Sequence, residues 1–86
     1  MQYGWVYILT NEPLGTLCTG VTADLERRLA ERRSGVGSAF VRRYNLHRLV
    51  FAEHHANIEQ AIQRETSLKR WQREWKTDLI ETANPG

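Results

Sequence analysis

An 86-residue chain, 41% apolar, has length for one modest hydrophobic core and none for a second domain of ordinary size. Its formal charge is only +2, and no stretch approaches the ~20 apolar residues of a membrane helix, so a membrane-spanning protein is not expected. The single cysteine excludes an internal disulfide, and the N-terminus lacks the basic segment and apolar run of a signal peptide; a reducing, cytoplasmic setting is the expectation.

The elements follow in chain order. Gly4-Trp5-Val6-Tyr7-Ile8-Leu9-Thr10 is β-branched and aromatic and predicts a strand. Asn11, Pro13 and Gly15 supply turn chemistry, and residues 17–21 read as the returning strand of a β-hairpin. Thr22 is expected to cap the next helix, with Asp24 and Glu26 favourable in its first turn and Leu25 and Leu29 forming a short apolar stripe. Residues 34–38 end that helix, 39–44 suggest a short helical turn, and 47–53 predict a third strand. Asn57 is a good cap for a helical pattern running from Ile58 to about Thr82, with a break near Trp71. The order predicts one α+β domain over residues 1–86, a small three-stranded, mostly antiparallel sheet flanked by helices.

Charge is unevenly placed. Arg27, Arg28, Arg32, Arg33, Arg42, Arg43 and Arg48 are opposed locally by Asp24, Glu26 and Glu31. Such a stretch is either a solvated face with partial pairing to its acids or a phosphate-facing surface. Ten arginines against two lysines tilt towards forked phosphate contacts. Arg28 sits beside the side of its helix fixed by Leu25 and Leu29, about 100° from Arg27. It either snorkels over the hydrophobic edge or clamps a phosphate.

In the last helical region Ile58, Ala61, Ile62, Leu68, Trp71, Trp75 and Leu79 trace an apolar face, and Glu65 falls on that stripe. A carboxylate there either pairs with an arginine or rims the core, or it points into a cleft and binds a cation. Tyr7 on a strand reads as a core tyrosine with a satisfied hydroxyl, and Cys18 as a small hydrophobe. His47, His54 and His55 form no recognisable nucleophile or zinc pattern with that cysteine, and no glycine-rich phosphate loop is present.

From Gly4 to about Pro85 the sequence resembles the GIY-YIG nuclease domain, and most closely its small stand-alone members. The two tripeptides that give the family its name read Trp5-Val6-Tyr7 and Cys18-Thr19-Gly20 here. More specific is their combination with Gly20-Val21-Thr22-Ala23-Asp24-Leu25-Glu26-Arg27-Arg28 and with Arg64-Glu65 followed by Lys69, Trp71 and Trp75. The match places the family's catalytic arginine on Arg28, its metal-binding glutamate on Glu65, its first motif tyrosine on Tyr7 and a site-shaping asparagine on Asn84. Cys18 replaces the second motif tyrosine beside Gly20, and Arg32 stands where relatives often carry histidine.

The resemblance implies phosphodiester hydrolysis with one Mg²⁺ or Mn²⁺ held by Glu65, Arg28 stabilising the transition state, and Tyr7 acting as base or water-positioner. Arg27, Arg32, Arg33, Arg42 and Arg43 are the candidate backbone contacts to DNA, giving sequence-independent binding. Single-stranded or branched DNA, met in repair or recombination, is the expected substrate, with specificity left to a homodimer or a partner protein. Two other classes compete. The first is a non-catalytic nucleic-acid-binding module that kept the nuclease fold, favoured by Cys18. The second, an interaction adaptor built on exposed tryptophans, is weakened because Trp71 and Trp75 are expected to pack in the core or between helices.

Overall fold

The computed structural model describes residues 2–11, 15–34 and 48–83. Three strands, β1 (Gly4–Thr10), β2 (Leu17–Thr22) and β3 (Arg48–His55), form an antiparallel sheet in the order β2-β1-β3. Three helices follow the chain around it: α1 (Leu25–Arg33), α2 (Ile58–Lys69) and α3 (Arg73–Ala83). None of these helices is long and apolar enough to cross a membrane.

β1 takes the centre because it is apolar on both faces. Val6 and Ile8 point to one side and pack with Phe51, Ala61 and Leu68 under α2, joined by Trp71, Leu79 and Ile80 from the C-terminal region. Tyr7 and Leu9 point to the other side and meet Leu25 and Leu29 of α1, with Cys18 and Leu49. The sheet is therefore a middle layer, with α1 on one face and α2 and α3 on the other. A bulge in the β1–β3 ladder, where Ile8 pairs with Phe51 but Leu9 with Leu49, lets Val50 and Phe51 both join the α2 face. Gly4 lets α2 pack directly on the strand: a Cβ there would lie 2.9 Å from the Ala61 methyl and run into Ile58.

The local signals mostly hold. α2 stops at its Arg70 cap and α3 starts at Arg73, so the break falls at Trp71 as the pattern predicts. Asn57 caps α2 by accepting from the Glu59 N–H at 2.8 Å. Thr22 does not cap α1. It pairs with Trp5 in the sheet, and Asp24 takes the cap instead, accepting from the Arg27 N–H at 3.1 Å. The Thr22 hydroxyl supports it by accepting from the Asp24 N–H. β3 runs on to His55 because His54 and His55 still find partners in Trp5 and Gly4. The long apolar stripe is narrower than its spacing suggests: Ile62 is 47% exposed and Trp75 52%, outside the line that Ala61 and Leu68 bury. Trp75 instead stands edge-on to Trp71, ring centroids 6.2 Å apart.

Candidate active site at the β2 edge

Tyr7 and Gly20 face each other across the β1–β2 ladder. The Tyr7 phenol lies over that glycine so closely that a Cβ on residue 20 would come within 2.8 Å of three phenol atoms. Glycine is thus required here for space. Laid this way, the Tyr7 hydroxyl accepts a hydrogen bond from Arg28 Nη1 at 3.2 Å. Leu25 and Leu29 bury one side of α1 and so turn Arg28 towards the sheet, while Arg27 stays in solvent. The guanidinium also holds Glu31 one turn on, Nε to Oε1 3.5 Å, with about a third of the side chain exposed. A nearly buried tyrosine therefore fixes an arginine whose remaining N–H donors are available to an anion.

Glu65 comes from the other side of the sheet. It lies between buried Ala61 and Leu68 on α2, and its side chain is 15% exposed. Its partner is Lys69, with Nζ to Oε2 3.4 Å, one turn along the same helix. The carboxylate thus rims the core, and its partner is a lysine, not the arginine that the sequence suggested.

These two flanks converge on β2, whose outer edge pairs with no described strand. At its Thr22 end a cleft of about 540 Å³ is walled by Arg27, Arg28 and Glu31 of α1 and by Ile58 and Ile62 of α2. At its Leu17 end a second cleft, about 370 Å³, is walled by Thr16, Leu17, Trp71, Arg73 and Lys76. Cys18, half-buried between them, registers the convergence. Burial pushes its thiol pKa up, and the cations of Arg32, Lys69 and Lys76 pull against that rise while the Glu65 carboxylate adds to it. One side chain on β2 is therefore within electrostatic reach of all three helices.

Of the residues singled out in the sequence, Tyr7, Gly20 and Arg28 are brought into contact, and Cys18, Arg32 and Glu65 into one neighbourhood. Arg27 lines the Thr22-end cleft, whereas Arg33 is exposed on the last turn of α1 and lines neither cleft. Arg42, Arg43 and Asn84 lie outside the described residues. Missed altogether were Arg73 and Lys76, and Lys69 was noted only as part of the family pattern. Their spacing of four and three is a helical signal, but the chain breaks at Trp71, and only the packing of α3 brings them to the same strand edge.

The donor set fits one hard, largely hydrated divalent ion. Among the described residues no three His, Cys, Asp or Glu side chains form a metal cluster, which is the wrong chemistry for zinc. Mg²⁺, by contrast, keeps most of its waters and needs only one or two protein carboxylates, and Glu65 offers one. On the same sheet face as α2, the Thr19 hydroxyl is buried without a hydrogen-bond partner.

A cation clamp and a carboxylate thus flank one strand of a small α+β domain. The chain belongs to the GIY-YIG family: the GIY-YIG catalytic domain matches residues 3–78. That domain implies nuclease-type activity, and its members typically use a divalent metal. A UPF0213 protein of Haloquadratum walsbyi is 35% identical over 80 residues, covering 93% of this chain and 89% of its own. Another, from Natronomonas pharaonis, is 36% identical over 76 residues, 88% of each chain. The solution NMR structure of a UPF0213 protein from Bacillus halodurans shares 31% identity and superposes with a TM-score of 0.59, over 94% of this chain and 85% of that one. These relatives are little longer than the region compared.

Proposed function

We propose that this protein is a metal-dependent DNA endonuclease acting in the cytoplasm, on single-stranded or branched DNA of the kind formed in repair and recombination. The observation that carries the reading is the Arg28–Tyr7 hydrogen bond, made over Gly20 at the strand edge that Glu65 approaches from the opposite face. A guanidinium so fixed supplies preorganised donors for the non-bridging oxygens of a phosphate in its transition state. Tyr7 holds that guanidinium and keeps a hydroxyl proton for a water or phosphate oxygen at the cleft. Glu65 would hold Mg²⁺ or Mn²⁺ once Lys69 releases it. When bound, the ion supplies Lewis-acid stabilisation of the charge developing on the leaving oxygen.

The second reading, a module that binds without cutting, draws on Cys18, because a thiol is a far weaker hydrogen-bond donor than the phenol it replaces. Nicking of supercoiled plasmid and cleavage of labelled single-stranded and branched DNA decide between them. Metal-dependent cutting, abolished by EDTA, by Glu65→Ala and by Arg28→Ala, is the expected result. Binding without cutting, with activity restored by Cys18→Tyr, would favour the silent module.

A further inference from the structure

We infer that a nucleic-acid strand lies along the edge of β2 that no described strand covers, its backbone held at the Thr22 end by Arg27 and Arg28 of α1 and at the Leu17 end by Arg73 and Lys76 of α3. This inference rests on the nucleic-acid reading above and adds the second half of the binding surface. The two clefts open at opposite ends of one six-residue strand. A strand of that length spans roughly 17–20 Å, long enough to meet several consecutive phosphates. The Leu17 end carries Arg73 and Lys76, and the Thr22 end carries Arg27 and Arg28 beside Asp24 and Glu31. Glu65 sits midway along α2, between Ile58 and Ile62 at one cleft and Lys69 and Trp71 towards the other. A backbone on this course meets the Arg28 guanidinium at the Thr22 end and passes the carboxylate on its way to the Leu17 end.

The Leu17-end cations are built into the fold. Arg73 Nη2 donates to the Gly15 carbonyl, which ties the start of α3 to the segment leading into β2. Lys76 is one turn further along the same helix, lining the same cleft and near enough to Cys18 to act on its thiol. An open strand edge can also accept a peptide as an added strand. Four cations along this edge, Arg27, Arg28, Arg73 and Lys76, outnumber the acids Asp24 and Glu31 that line it, which favours a polyanion over such a peptide.

The test is equilibrium binding of fluorescein-labelled single-stranded and branched DNA in EDTA, between 50 and 200 mM salt, so that no cutting intervenes. Lys76→Glu and Arg73→Glu are compared with Arg48→Glu, which makes the same charge change on β3, the far edge of the sheet. The expected result is about tenfold weaker binding for each α3 variant, whatever the sequence, and a salt slope lower by about 1 for the Lys76 variant. Lys76→Arg should bind like the parent, and circular dichroism checks that each variant is folded. Because Arg73→Glu also removes the tie to Gly15, the Lys76 pair decides if that variant unfolds. Equal weakening by Arg48→Glu, or no weakening by Lys76→Glu while Arg28→Glu still weakens binding, overturns the β2-edge path and leaves the nuclease reading standing. A parent protein that binds no DNA at 50 mM salt overturns both.

Discussion

The two edges of the sheet carry similar residues and use them differently. At the β3 edge the charges are tied across elements. Arg64 of α2 donates to Glu53 of β3 at 3.1 Å, His55 donates to the same oxygen at 2.7 Å, and the guanidinium lies 5.2 Å from the centre of the Trp71 ring. At the β2 edge the ion pairs of the two candidate catalytic charges among the described residues lie within their own helices, Arg28 with Glu31 and Glu65 with Lys69, and the one tie across elements is the neutral Tyr7 hydroxyl on Arg28. Pairs between neighbouring turns of an exposed helix are worth a few tenths of a kcal/mol and are easily exchanged for a ligand. A tertiary tie such as Arg64–Glu53 instead fixes how α2 sits on the sheet. Charge alone therefore does not mark the site; charge whose partner is local and replaceable does.

This contrast can be broken in several ways. The largest effect is expected for Arg28→Ala, which should lower cleavage by about 10²–10³-fold, the scale of losing a preorganised transition-state donor, with the unfolding midpoint nearly unchanged. Single-turnover kinetics and urea denaturation measure the two quantities. A comparable loss of stability would mean that Arg28 is structural, like its counterpart at the other edge.

Gly20→Ala comes next. The added methyl must push the Tyr7 phenol away, so a cost of about 1–3 kcal/mol in urea unfolding is expected, together with reduced cleavage as Arg28 loses its anchor. Unchanged stability would show that the phenol can swing aside freely. At the β3 edge, Glu53→Gln should cost no more than about 1 kcal/mol, because both partners are partly exposed, and leave cleavage within about twofold. A large loss of activity there would erase the distinction between the edges.

The smallest effect concerns Cys18. Burial raises its thiol pKa, so the folded protein holds that proton more tightly than the unfolded chain. Its contribution to stability is complete below the ordinary thiol value of 9.0 and is lost as pH rises through the higher folded value. Urea midpoints between pH 7 and 10 should therefore fall more steeply for the parent than for Cys18→Ala. Parallel curves would place the thiol in water.

Much of this protein was legible in the chain itself. Strand and helix patterning fixed the α+β order and the break at Trp71, because alternation, turn residues and Asn57 as a cap act over a few residues. Arg28 and Glu65 stood out because each places a charge beside or within an apolar stripe, which burial makes costly. The tertiary structure alone decided three things. It showed why residue 20 is glycine, since only the β1–β2 register sets the Tyr7 phenol over it. It moved the α1 cap from Thr22 to Asp24, because sheet pairing with Trp5 claimed Thr22 first. And it brought Arg73 and Lys76 to the strand that Arg28 flanks, some fifty residues apart along the chain. Local propensity is written in neighbouring residues, whereas a cleft is made by elements that meet only when a common core is buried.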